Sequence, residues 1–300
     1  MTNKAKGFCM AAISAFIFGF TSILAKMSYG YGNTPATLTF LRAFLAIPIL
    51  AFLTKRKGLP LRISAAEWKD MLLVGIFGSA ATTLLLYASY EYIPVGVATT
   101  LHFLFPVTVT LAGILFFHAK VTRWELIALP ICVLGVALLA DQISAVEIKG
   151  VLMALTSTIT YAIYLTGVQH SCLKDFYHFK LSLYICIISS VVSGVVGLLN
   201  GSLSFQIEPM GWLLTVPIAL SVSIGAITLL QAAVTYIGAP KTAILSNLEP
   251  ITSVVMGVLF LQEAMTAFRA AGCILILFGV FVSTLKPGSA KKTEQKKTEP

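Results

Sequence analysis

Residues 92–140 read YIPVGVATTLHFLFPVTVTLAGILFFHAKVTRWELIALPICVLGVALLA, and residues 236–284 read YIGAPKTAILSNLEPITSVVMGVLFLQEAMTAFRAAGCILILFGVFVST. Displaced by 144 residues, the two stretches align without a gap and share twelve identities. Leu and Val matches are cheap in so apolar a chain. Tyr92 over Tyr236, Pro106 over Pro250, Thr108 over Thr252, Gly113 over Gly257, Thr122 over Thr266 and Gly135 over Gly279 are not. Trp68 overlays Trp212 at the same displacement, and Gly7, Met10, Ala11 and Ser14 overlay Gly150, Met153, Ala154 and Ser157 at 143. The chain is therefore an internal duplication.

What is duplicated follows from composition. Of 300 residues, 57% are apolar and 11% charged, and the mean hydropathy is +0.90. A soluble domain carries about 25% charged residues to cover its surface, so this chain is read as all-α and membrane-embedded. A crossing needs about 20 mainly apolar residues, and ten such segments are expected: about Gly7–Ala25, Ala36–Leu53, Met71–Tyr90, Val95–Phe117, Trp124–Ala140, Gly150–Val168, Leu181–Leu199, Gly211–Ile237, Thr242–Leu261 and Ala267–Leu285. The first has a counterpart in the second half and is read as a retained helix rather than a signal peptide. Residues 7–140 and 150–285 form two five-helix repeats, and the polar segment 286–300 is expected to be a disordered cytoplasmic tail.

Five crossings is an odd number. The second repeat must enter the bilayer from the opposite side, so the halves are expected to be related by a pseudo-two-fold axis in the membrane plane, the arrangement that underlies alternating access in many transporters. Orientation follows from the loops. With the N-terminus inside, 17 of the 21 Lys and Arg residues fall on the inner side. Lys26, Lys149 and Arg269 fall outside, and Arg42 lies within a span. Both termini are expected to be cytoplasmic, the host membrane being the cell (inner or plasma) membrane. The +9 net charge is spread through loops and tail without a basic, aromatic-interleaved face, which argues against a nucleic-acid partner.

The paired segments LFPVTVTLAGILFFHAKVT and LEPITSVVMGVLFLQEAMT, with Arg42 in LTFLRAFLAIPIL, make the chain resemble the drug/metabolite transporter superfamily, in its EamA-type ten-helix branch. The second copy fits the pattern through Leu248, Glu249, Pro250, Glu263 and Thr266; the first departs from it, with Phe105 opposite Glu249 and Ala119 opposite Glu263. The resemblance implies export or exchange of small metabolites, amino acids or drug-like molecules.

Ionisable groups within a bilayer cost about 2.5–3.5 kcal/mol on insertion scales and usually face a cavity or a partner. Glu249 shares a helix face with Ser246, Pro250 and Ser253, and Asn247 adds a polar group at the same depth. It is either a site for a substrate amine or a proton, or a carboxylate bonded to a neighbouring helix. Arg42 either captures a substrate carboxylate or snorkels to the headgroups. His102, on a face with Thr99 and Pro106, is a candidate proton relay or a structural histidine. Further polar or aromatic faces carry Gln231 with Thr228 and Thr235, Tyr161 and Tyr164 with Ser157, Tyr87 with Thr83, and Phe18 among Ser14, Thr21 and Ser22. These either line a cavity with few charges or are ordinary helix packing. Pro106, Pro250, Gly113 and Gly257 are the expected hinge or gating positions, the prolines because each removes a backbone donor. Glu263, Glu91 and Lys241 are read as interfacial charges.

Other classes fit poorly. Intramembrane catalysis needs a nucleophile–base pair, an acidic metal cluster or paired histidines. A channel needs a charge ring or filter loop. A scaffold or receptor-like protein would offer an extramembrane domain. The sequence shows none of these, nor a metal-ligand spacing, a phosphate-binding loop or any cofactor motif. The expectation is a secondary transporter that exports small organic solutes, acts as a monomer among membrane lipids, and has protons as a candidate coupling ion. An importer or exchanger of the same solutes is the alternative, and from a different class a non-transporting membrane scaffold or receptor-like protein.

Overall fold

The computed structural model describes residues 3–58, 60–117, 123–140 and 144–284. Its helices are α1 (Asn3–Tyr29), α2 (Pro35–Arg56), α3 (Ala65–Ser89), α4 in two pieces (Val95–His102 and Phe105–Phe117) and α5 (Arg123–Ala140). The second half repeats the series as α6 (Ala145–His170), α7 (His178–Leu199), α8 (Pro209–Leu220, continued through Ile227–Ile237), α9 in two pieces (Ala239–Ser246 and Leu248–Leu261) and α10 (Ala267–Thr284). Seven contain a stretch long and apolar enough to cross a bilayer; α4, α5 and α10 carry shorter apolar runs. The expected tail, 286–300, lies outside the described residues.

Local chemistry sets several boundaries. Ser64 and Glu67 form a capping box that starts α3 at Ala65, and Ser144 with Glu147 does the same for α6, each pair satisfying two N-terminal donors that would otherwise be orphaned. Both helices thus begin about a turn or more before the expected Met71 and Gly150. The fourth span, expected as one helix over Val95–Phe117, is broken, and so is the ninth. Pro106 and Pro250 have no N–H to offer the carbonyls four residues back, at His102 and Ser246. The first piece of each helix ends at those residues. A second paired irregularity is the π-helical turn in α3 at Val74–Ala80, matched in α8 by Ser221–Ala226.

The halves exchange under a two-fold operation. In one direction α1 packs on α8 and α9; in the other, α6 packs on α3 and α4. The α2·α8 contact has its counterpart in α7·α3, while α2·α7, α4·α9 and α5·α10 pair across the axis. At α5·α10 the backbones meet directly. A Cβ on Gly135 would lie 2.9 Å from the Gly272 carbonyl oxygen, and one on Gly279 would lie 2.6 Å from Cys132 Sγ. Two helices with little else to drive them together in lipid gain dispersion contact where small residues allow close approach.

On the face opposite the N-terminus the halves are tied together. Asn33 Nδ2 donates to Thr215 Oγ1 at 2.9 Å, Thr34 Oγ1 to the Ser202 carbonyl at 2.7 Å, and the Glu208 N–H to the Tyr31 carbonyl at 3.0 Å. Lys149 Nζ donates to Tyr92 Oη at 2.8 Å, and on the same face, within the second half, Arg269 is ion-paired with Glu147. Glu263 is no simple interfacial charge, because its Oε1 accepts from the Val95 N–H at 2.7 Å.

Candidate functional site: a cavity at the paired helix breaks

A cavity of about 510 Å³ lies on the two-fold axis, below the sealed face. Both broken segments line it, and they do so with equivalent residues: His102, Phe103 and Phe105 from α4, and Ser246, Asn247 and Glu249 from α9. A helix break in a low-dielectric medium leaves carbonyls without partners, and such backbone is tolerated where it faces a cavity or other protein. Ser14, Ala15 and Phe18 of α1, Arg42 of α2, Tyr161 of α6, Leu230 of α8 and Val280 of α10 complete the wall with Pro106 and Thr242. Thr242 lies in the first turn of α9 and Leu230 in the last part of α8, so the cavity extends toward the N-terminal face.

Three polar side chains dominate. Among the described residues Glu249 has no hydrogen-bond donor or ion-pair partner, and its carboxylate opens onto the cavity. Arg42 is held by neutral groups. Its Nη2 donates to Thr83 Oγ1 at 3.0 Å, and its guanidinium carbon sits 5.5 Å from the centre of the Tyr87 ring. Thr83 can accept because its own hydroxyl proton goes to the Ser79 carbonyl, at 3.1 Å. Arg42 therefore does not reach outward to headgroups; it turns into the protein. His102 is 8% exposed, and its Nδ1 lies 2.8 Å from Ser157 Oγ. Phe105 meets the Tyr161 ring edge to face at 4.8 Å, and His102 stands 5.2 Å from the same ring, making one aromatic wall.

The expected site residues divide accordingly. Glu249, Arg42, His102, Tyr161, Phe18, Asn247 and Pro106 line the cavity. Tyr164 does not: it stacks on Tyr161 at 5.7 Å and otherwise packs with Met71, Val74, Ile185 and Ile188. Tyr87 is buried beneath Arg42, 5.6 Å from Tyr90. Pro250 is buried behind the lining, and Gly257 is covered by the Glu263 carboxylate. The side chain of Gln231 and the surroundings of Gly113 lie outside the described residues. Phe103 and Thr242 had no sequence signal, whereas Ser14 and Ser246 stood on the faces of Phe18 and Glu249; the meeting of their three helices is a tertiary event. Phe105 did carry a signal, as the position where the halves depart from each other.

Two related bundles of five helices, each broken at one proline and enclosing a cavity on their axis, define the architecture of a membrane transporter. The chain belongs to the EamA-like transporter family, whose sequence profile matches residues 5–140 and again 148–285. It is similar to an uncharacterized transporter of Archaeoglobus fulgidus, with 24% identity covering 94% of this chain and 99% of that protein. It is also similar to the uncharacterized transporter YyaM of Bacillus subtilis, with 25% identity over 89% of each. A solved crystal structure shares the fold, with a TM-score of 0.66 at 18% identity over 93% of this chain and 97% of that one. The chain is thus a multi-pass membrane protein of a transporter family.

Proposed function

We propose that the protein is a secondary transporter of the cell membrane that exports small amphipathic organic solutes by alternating access. The observation that carries this is one carboxylate and one guanidinium, Glu249 and Arg42, neither paired with an opposite charge among the described residues, opening on the same 510 Å³ cavity. A charge held in a membrane domain without a partner is costly. A solute bearing a cationic group, an anionic group or both would supply the missing partner during passage. The aromatic wall of Phe18, Phe105 and Tyr161 suits an apolar or ring-bearing body. The closed face is the one opposite the N-terminus. With the basic loops assigned to the cytoplasm, this conformer faces inward and is open to load solute from the cytosol.

The test is a counterflow screen in proteoliposomes with radiolabelled amines, amino acids and organic acids, each with and without an imposed pH gradient. Saturable exchange of at least one class supports the reading. Flux indistinguishable from empty liposomes across all three overturns it. A pH-gradient effect on the carried solute would add protons as the coupling ion.

A further inference from the structure

Ser157 determines how His102 meets whatever occupies the cavity. Its hydroxyl lies 2.6 Å from the Ala154 carbonyl and 2.8 Å from His102 Nδ1. A carbonyl can only accept, so the single hydroxyl proton of Ser157 goes to Ala154, and the oxygen is left to accept from the ring. His102 therefore carries its proton on Nδ1. The ring is buried beside Phe105 and Tyr161, with no carboxylate paired to it among the described residues. A charged imidazolium in such surroundings would be uncompensated, so the ring is neutral and its Nε2 is a bare lone pair. That nitrogen takes no hydrogen bond from the described residues, is not sealed from the cavity, and belongs to a side chain of the cavity wall.

The cavity thus offers two separate groups without partners among the described residues, His102 Nε2 and the Glu249 carboxyl, and a bound ammonium ion supplies the counter-charge with which Glu249 ionises and accepts. We infer that the site counts N–H bonds on its ligand, taking organic ammonium ions with at least two N–H donors and rejecting those with one or none. This rests on the transport reading above only in assuming that the cavity receives solute. An aromatic cage working by cation–π attraction makes the opposite choice, since it holds a quaternary ammonium at least as well as a primary one. His102 and Glu249 are the binding residues in this scheme, and Ser157 is a positioning residue that acts through the tautomer.

The test uses the full chain in detergent and isothermal titration at neutral pH with four probes: phenethylamine and its N-methyl, N,N-dimethyl and N,N,N-trimethyl derivatives, all cations. The expected wild-type pattern is a step. The primary and secondary amines bind alike, the tertiary amine binds about tenfold more weakly for the loss of one charge-assisted hydrogen bond, and the quaternary ion is weaker again. His102→Phe should remove the step between secondary and tertiary amines while keeping the later one. Ser157→Ala, which frees the ring to place its proton on Nε2, should shrink that same step, and Ser157→Thr should restore it. Equal binding of the quaternary and primary ions, a step that persists in His102→Phe, or no binding of any probe would each overturn the inference. Binding in detergent is independent of whether solute is carried. Absent counterflow would sink the transport reading alone, and counterflow without the step would sink this one alone.

Discussion

Phe105 and Glu249 occupy equivalent positions in the two halves and face each other's half of a single cavity. The duplication that built the scaffold did not duplicate the charge. One half brings an aromatic ring and the other a carboxylate to the same depth, each just before the proline that breaks its helix. The cavity is accordingly asymmetric in chemistry while the bundle around it is symmetric in packing.

Because Glu249 is the only carboxylate among the described residues that line the cavity, its loss has no substitute there. Glu249→Gln keeps shape and hydrogen-bonding capacity and removes the ionisable charge. The variant should express and unfold like the wild type, since the wild-type carboxylate has no partner among the described residues to lose. Its counterflow of cationic solutes should fall by at least about tenfold, as a charge-assisted bond becomes a neutral one. Wild-type rates across a wide pH range would remove Glu249 from the mechanism.

Closure of the opposite face depends on an asymmetric contact as well. Glu263 follows Gln262, a non-glycine residue at φ 54° that ends α9, and from there reaches across to cap the Val95 N–H that begins α4. Glu263→Ala removes a charged acceptor from a backbone donor, a change of about 1.5–3 kcal/mol, and should raise the open population of that face about tenfold or more. A cysteine at Ile93, 4% exposed, should then react faster with an impermeant maleimide. Unchanged labelling would mean that the remaining cross-half bonds close the face alone.

The paired breaks at His102 and Ser246 invite a rocking motion in which each half takes the shape of the other. Crosslinks tying the N-terminal ends of the halves together should favour access from the opposite face, and crosslinks on that opposite face should favour access from the N-terminal side. Paired-label distances on solute addition should move in opposite senses at the two ends. Movement in the same sense, or none while counterflow continues, would reject rocking.

The α5·α10 contact should behave as a rigid seam. Gly135→Ala would bring a methyl to 2.7 Å from Ile276 Cγ1 and 2.9 Å from the Gly272 carbonyl, an overpacking cost of about 1–3 kcal/mol. The unfolding midpoint in detergent should drop by several degrees with solute selectivity unchanged. An unchanged midpoint would show that the two helices part without cost.

Which features the sequence alone determined, and which only the folded chain decided, divides along a physical line. Apolar runs, basic loops and a gapless repeat are properties of the chain read in one dimension. They sufficed for an all-helical membrane protein in two five-helix halves, and Pro106 over Pro250 marked where both halves break, because a missing N–H acts within its own helix. The capping boxes at Ser64 and Ser144 are equally local, but the apolar runs alone placed those two helix starts later, at Met71 and Gly150. Which face of each helix turns inward was not. In a bilayer the lipid-facing and protein-facing sides are both apolar, so no hydrophobic stripe points to the core as it does in water. Tyr161 and Tyr164 stand one turn apart on α6, yet one lines the cavity and the other packs with α3 and α7. Arg42 has two destinations within its reach, and the Thr83 hydroxyl and Tyr87 ring on α3 decide between them. His102 meets Ser157, 55 residues away in the chain, and Glu263 finds Val95 at a separation of 168. These contacts exist because packing brings together helices distant in the chain, some within one half and some from different halves, so they depend on three-dimensional complementarity that no single helix encodes.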